Sequence, residues 1–140
     1  MAITQITQMD LPGSPELVDM IDGIVLRISD VLGGVRVPRA FAIHQAIQTM
    51  HTDLNDISLQ TWCALADRYA DYRSDTTRIP VKLTETDRNR LDSIRSFVLA
   101  NPNVLRVVKT AYGSDGVGVR MIAALAVIYQ ATHEEKWEPQ

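Results

Sequence analysis

The sequence predicts a compact all-α bundle of about six helices, with an apolar C-terminal helix at its centre. Five stretches repeat apolar residues at steps of three and four, which is the period of an amphipathic helix. A sixth stretch, Met121–Tyr129, is apolar throughout and has no polar face, which is typical of a helix in the middle of a bundle. Apolar residues make up 46% of the 140 residues, close to the average of globular proteins.

The length and the charge pattern indicate one soluble domain. We expect a single helical domain over residues 14–133, a loose N-terminal arm over 1–13 and a polar tail over 134–140. The longest apolar run is far shorter than the roughly 20 residues of a membrane span. A secretory signal would require a basic residue near the N-terminus, and none precedes Arg27. The expected location is therefore the cytoplasm.

The first helix has the clearest amphipathic pattern. Ser14 is the expected cap and Pro15 suits the first turn, since the N–H that proline lacks would be unpaired there. Gly33 and Gly34 are expected to end the helix. Its apolar stripe runs through Leu17, Ile21, Ile24, Ile28 and Val31, and is widened by Val18, Val25 and Leu32.

Two more helices follow before residue 73. The second is expected to begin near Pro38, and its inner face is predicted to hold Ala40, Ile43, Ile47, Met50 and Leu54. Ser58 can cap the third helix, of which one side, including Trp62, Leu65 and Tyr69, is expected to be buried. The single cysteine, Cys63, lies in this apolar stretch and is predicted to be a buried thiol.

In the middle of the chain the apolar residues recur at every second position, and the helical pattern then resumes. Ile79, Val81 and Leu83 alternate with polar residues and with Pro80, which limits this segment to an edge strand or an extended crossing. Thr84 and Asp87 then form a capping box that opens the fourth helix. Asn101 and Pro102 begin the fifth helix, which is expected to reach Tyr112.

A glycine-rich loop, Gly113–Gly118, separates the fifth helix from the apolar sixth. Its spacing is the reverse of the dinucleotide fingerprint, no strand is predicted before it, and no lysine follows it to reach a phosphate. We interpret it as a corner in which Gly113 ends one helix and Ser114 or Asp115 caps the next. Gly116 and Gly118 would allow close approach of a neighbour, and no cofactor is predicted.

The histidines and paired carboxylates give weak signals for chemistry. His44 and His51 lie seven residues apart, too far along one helix for the usual pair of zinc ligands. A metal site of His51 with Asp53, Asp67 or Asp71 requires that the second and third helices face each other. Asp67 and Asp71 share one helix face and are expected to be solvated, so no catalytic or metal residue is predicted.

The remaining hypotheses concern partners. By exclusion, the sequence favours a small protein-interaction module without catalytic activity, an accessory, adaptor or inhibitor protein, and we expect a homodimer. Its predicted interface is the first helix, through Leu17, Ile21, Val25 and Ile28.

The alternative is a nucleic-acid-associated accessory factor. Residues 73–120 hold nine basic and five acidic residues, a net charge of +4. Arg78, Lys82, Arg88 and Arg95 would then contact phosphates. A weaker alternative is an enzyme with a site assembled from distant residues.

Overall fold

Six helices and a two-stranded sheet make up the described part of the protein. The computed structural model describes residues 7–12, 14–72, 78–112 and 117–133. In chain order the elements are β1 (Thr7–Pro12), α1 (Pro15–Val31), α2 (Arg39–Asp53), a 3₁₀ turn (Leu54–Asp56), α3 (Leu59–Tyr72), β2 (Arg78–Leu83), α4 (Glu85–Ala100), α5 (Pro102–Tyr112) and α6 (Val119–Thr132). The predicted all-α bundle of about six helices is confirmed.

Helix α6 is the centre of the bundle. Ten consecutive residues, Met121–Gln130, are buried, so no side of the helix over these residues faces solvent. It contacts α1, α2, α3, α4 and β1. The apolar C-terminal helix predicted to be central is therefore confirmed, because only a helix surrounded by other elements can bury every side chain over nearly three turns.

The sheet corrects the prediction of a loose N-terminal arm. Residues 7–12 form β1, which pairs antiparallel with β2 and places Met9 opposite Val81 and Leu11 opposite Ile79. Burial along β2 alternates as the period-two pattern predicted. Leu11 is fully buried and β1 lies against α6, so burial of its apolar residues fixes this part of the arm. Residues 1–6 and 13 lie outside the described residues.

Helix α1 follows its predicted pattern with two differences. Leu17, Ile21, Ile24 and Ile28 are buried, but Val31 is exposed at the end of the helix. Ser14 occupies the cap position, but its hydroxyl donates to Glu16 at 2.6 Å instead of accepting a backbone N–H. Gly33 and Gly34 end the helix as predicted. Both have positive φ, and their N–H groups donate to Asp30 and Ser29 in a Schellman motif.

Helices α2 and α3 confirm their predicted starts. Pro38 is the cap residue of α2, and the Ser58 hydroxyl accepts the Thr61 N–H at 3.1 Å. Cys63, predicted to be buried, is exposed. The buried stripe of α3 runs through Trp62, Leu65, Ala66, Tyr69 and Tyr72, and position 63 falls beside it.

The capping box of α4 is present, with each of Thr84 and Asp87 accepting the other's backbone N–H. The predicted caps of α6, Ser114 and Asp115, are wrong because Gly118 occupies that position. A Cβ atom at Gly118 would meet nothing within 4 Å, so Gly118 does not serve the close approach that we expected. The rest of the predicted corner, residues 113–116, lies outside the described residues.

Candidate interaction surface

Three of the four residues predicted to form a partner interface are buried in the core of their own chain. Leu17 and Ile21 are fully buried, and Ile28 is 2% exposed. These three belong to the core beneath α1, so the assignment of the interface to them is wrong. Val25, the fourth, is partly buried and packs against the edge of that core.

The exposed apolar side chains of α1 lie elsewhere, towards the corner where the chain turns into α2. Within the described residues, seven large apolar side chains are exposed, and five of them fall between residues 26 and 41. We call these five the corner surface: Leu26, Val31, Leu32, Val35 and Phe41. Leu26 is 66% exposed and Val35 is 60% exposed, so both lie well outside the core.

A groove of about 730 Å³ runs beside Leu26, between α1 and residues 34–39. Its α1 wall includes Asp22 and Asp30, and its other wall includes Arg36 and Arg39. The two walls therefore carry opposite charges. Val25 and Val37 add apolar surface to the groove.

One ion pair joins the two walls of this groove. The Arg39 Nε donates to Asp22 Oδ1 at 2.8 Å, and its Nη2 donates to Asp22 Oδ2 at 3.0 Å. This hydrogen-bonded carboxylate raises the pKa of Arg39 above its usual value, and the two parallel bonds hold the guanidinium in one orientation. The start of α2 is thereby tied to the middle of α1.

The four basic residues predicted to contact nucleic acid are divided between β2 and α4. Arg78 and Lys82 are exposed on one face of β2. The Arg88 Nε lies 3.8 Å from the Asp92 Oδ1 on the next turn of α4. The Arg95 Nε donates to the carbonyl of Val117 at 2.7 Å. Arg95 therefore joins α4 to the segment before α6, which is a structural use of its charge.

Two polar contacts inside the bundle were not predicted from the sequence. The first joins the His44 Nδ1 on α2 to the buried Asp87 Oδ2, which also accepts the Thr84 N–H at the start of α4. His44 is partly exposed, whereas the Asp87 side chain is 3% exposed. This contact links α2 to the capping box, and the Asp87 carboxylate lies in the first turn of α4, where a negative charge is favourable.

The second contact joins α6 to the end of α2. The Tyr129 hydroxyl donates to Asp53 Oδ2 at 2.7 Å, and the His133 ring stacks on Tyr129 with 4.4 Å between ring centroids. Burial, the bond to Asp53 and the negative charges of Asp53 and Asp56 all raise the pKa of Tyr129 above its usual value. A phenol held in its neutral form in this way is a donor that anchors α6.

The residues weighed for a metal site do not come together. Across the described residues, no group of three or more His, Cys, Asp or Glu side chains is placed to hold a metal ion. His51 is therefore not joined by two of the carboxylates considered with it, and Asp67 and Asp71 are both exposed on α3. No helix in the described ranges combines the length and the apolar character needed to cross a membrane.

Comparisons with known proteins do not assign the chain to a family. A scan against protein-family models, a search of curated proteins and a search of solved structures all found no match.

The interface predicted from the sequence uses the apolar stripe of α1, whereas the exposed apolar residue Leu26 lies on a different side of the helix. The strongest stripe of α1 is strong because it is the side that folds against α2 and α6. The exposure of Leu26 could have been predicted from the sequence, because Leu26 lies on the side of α1 that also carries Asp19, Asp22 and Asp30.

Proposed function

We propose that the chain is a small protein-interaction module without catalytic activity, and that it binds its partner through the corner surface. The proposal is carried by one observation, the concentration of exposed large apolar side chains between residues 26 and 41. Exposed apolar residues that are scattered singly are normal, whereas several of them close together are typical of an interaction site. These five lie in the second half of α1, in the turn after it and in the first turn of α2.

The surroundings of the corner surface also favour a protein partner. Specific interfaces combine an apolar centre, depleted in charge, with a polar rim. Leu26 is the most exposed of the apolar side chains in this region, and the charged residues Asp30 and Arg36 lie beside it in the adjoining groove. The Asp22–Arg39 pair compensates its own charge, so covering it leaves no isolated ion.

Affinity capture with matched variants tests this proposal. Tagged protein is incubated with an extract of the cells that produce it, and bound proteins are identified by mass spectrometry. Leu26→Asp is expected to lose a partner that the unmodified chain retains, because a charge at the centre of an apolar interface must be desolvated. Leu99→Asp is the control, since Leu99 is 45% exposed near the end of α4 and is not one of the five residues of the corner surface.

Retention of the same partners by both variants would contradict the assignment to the corner surface. Loss of partners from Leu99→Asp alone would also contradict it. Circular dichroism of both variants verifies that neither has unfolded.

An accessory function on nucleic acid is the second candidate, and its support is the shared exposed face of Arg78 and Lys82 on β2. Fewer basic residues support it than the sequence indicated, because Arg95 donates a hydrogen bond to the Val117 carbonyl of its own chain. The test is fluorescence anisotropy with labelled DNA and RNA at two salt concentrations. A phosphate-binding surface predicts affinity that falls steeply with salt and falls further in Lys82→Glu.

The enzymatic alternative would draw on the His44–Asp87 pair. That pair has a sufficient structural explanation in the link between α2 and the capping box of α4.

A further inference from the structure

A second groove, of about 460 Å³, lies between β2 and the first turns of α2, and we call it the β2 groove. Four consecutive residues of β2 form one wall and three residues of α2 form the other: Ile79, Pro80, Val81 and Lys82, and Arg39, Ala40 and Ile43. Successive residues of a strand point to opposite faces of a sheet, so a groove lined by all four lies at an edge of β2. The described residues of β1 do not line it, so this is the edge that β1 leaves open.

A proline in the sheet shows which backbone groups face this open edge. Pro80 lies opposite Asp10 of β1. Proline has no N–H, so these two residues cannot exchange a pair of hydrogen bonds. Bonded and non-bonded pairs alternate along an antiparallel ladder, so the bonds to β1 come from Ile79 and Val81. The backbone groups of Pro80 and Lys82 therefore point away from β1, into the β2 groove.

These backbone groups are available to another chain. Among the described residues, no backbone hydrogen bond outside the ladder of the sheet involves Pro80 or Lys82. The edge thus offers two carbonyl acceptors, on Pro80 and Lys82, and one N–H donor, on Lys82. An extended peptide uses such an edge by adding a strand to the sheet, so that its own backbone supplies the missing partners.

The charges of the β2 groove are positive. Its charged lining residues are Arg39 and Lys82. The Nε and Nη2 of Arg39 bind Asp22, which leaves its Nη1 outside that pair. Lys82 is exposed, on the outer face of the sheet. A segment that carries acidic side chains is therefore the complementary one.

We propose that the β2 groove binds an extended peptide segment that alternates acidic and apolar residues and runs antiparallel to β2. Residues opposite one another in a sheet share a face, so the two peptide residues opposite Pro80 and Lys82 lie on the outer face, beside the Lys82 ammonium group. Acidic residues fit these two positions. The residue between them points to the face on which Ile79 and Val81 are buried, next to Ala40 on the α2 wall, and is therefore apolar.

The residues of this edge disfavour a second copy of the chain as the occupant. Proline and lysine on an edge strand are residues that discourage pairing between like strands. Two β2 strands laid edge to edge would bring Lys82 of one copy close to Arg78 or Lys82 of the other, and neither Pro80 would donate a hydrogen bond. An acidic segment meets opposite charges instead, and its own N–H donates to the Pro80 carbonyl.

Titration of the full chain with a capped peptide of sequence Val-Glu-Val-Glu-Val tests the proposal. Two-dimensional NMR of the ¹⁵N-labelled protein should show saturable shifts, with the largest at the Lys82 amide, because its N–H gains a partner. Lys82→Glu should raise the dissociation constant roughly threefold or more, and should lower it for a peptide with lysine in place of both glutamates. Lys109→Glu is the matched control, since Lys109 is exposed on α5 and does not line the groove.

Methylation of the peptide backbone separates strand addition from simple attraction between charges. In the antiparallel arrangement the two glutamate N–H groups face β2, whereas the N–H of the central valine faces away from it. N-methylation of both glutamates should weaken binding roughly tenfold or more, because two hydrogen bonds are lost. N-methylation of the central valine should leave the dissociation constant nearly unchanged.

Several results would overturn the proposal. Equal weakening by the two kinds of methylation would exclude strand addition, and so would the absence of saturable shifts. Equal affinity for the glutamate and lysine peptides would remove the preference for an acidic segment. Shifts of the same amides with protein concentration alone would assign the edge to a second copy. The inference goes beyond the proposed function, because the β2 groove contains none of the five corner-surface residues and its failure leaves that function untouched.

Discussion

Replacing Val127 by threonine tests the central position of α6 with little change in shape. Val127 is fully buried in the middle of the ten consecutive buried residues of α6. Valine and threonine are nearly isosteric, so the substitution exchanges a methyl group for a hydroxyl group and leaves no large cavity. Both residues are β-branched and have similar helix propensities, so the comparison isolates burial.

The expected loss follows from the environment of the side chain. A hydroxyl moved into an apolar interior costs about 1–3 kcal/mol by protein mutational data. A bond from the threonine hydroxyl to the backbone carbonyl one turn earlier recovers part of this cost, so we expect a loss of about 1–2 kcal/mol. For a domain of this size that corresponds to a melting temperature lowered by roughly 2–8 °C.

The assay is urea unfolding followed by circular dichroism, with Val31→Thr as the matched control. Val31 also lies in a helix but is 45% exposed, so its substitution should change the unfolding free energy by less than about 0.5 kcal/mol. If Val127→Thr and Val31→Thr lowered the unfolding free energy equally, the result would contradict the claim that Val127 is buried at the centre of the bundle.

Three further substitutions test individual contacts. Asp87→Ala removes the carboxylate that contacts His44 and closes the capping box, so the free energy of unfolding in urea should fall by about 1–2 kcal/mol, as for the loss of a helix cap; the exposed Asp92→Ala is its control. Tyr129→Phe tests the raised pKa of this phenol. Above about pH 10 the unfolded chain loses the proton that the folded chain retains, so stability should fall as pH rises, and the variant should lack this part of the decline. Gly33→Ala should cost about 1–2 kcal/mol, because φ is +74° at this position.

Each of these expectations has a result that contradicts it. Equal unfolding midpoints for Asp87→Ala and Asp92→Ala would mean that the buried pair adds no net stability. An alkaline decline in Tyr129→Phe as steep as in the unmodified chain would assign that decline to other groups. A Gly33→Ala variant as stable as the parent would show that the turn after α1 accepts another conformation.

Local patterns were sufficient to predict the helices. The run from Met121 to Tyr129 could be assigned to the centre because it offers no polar face to solvent. The cap of α3 and the capping box of α4 could be predicted because each depends on residues within three positions of one another.

Contacts between distant segments were beyond these patterns. Strand β1 pairs with β2, which lies about 70 residues later in the chain. Apolar and polar residues alternate in β1 over too few positions for the sequence to predict a strand. His44 and Asp87 also meet only because α2 packs against α4. The stripe of α1 that the sequence predicted as an interface is buried within the chain. The pattern shows which side of a helix is buried but does not show whether its own chain or a partner buries it.

Photocrosslinking from position 26 tests the central claim most directly. A photoreactive amino acid replaces Leu26, or Leu99 as the control, and the protein is irradiated in the cells that produce it. The corner surface predicts a covalent adduct with a protein from position 26 and none from position 99, and an adduct of twice the chain mass identifies a second copy as the partner. Equal adducts from both positions, or adducts from position 99 alone, would contradict the claim that the corner surface is where this protein binds.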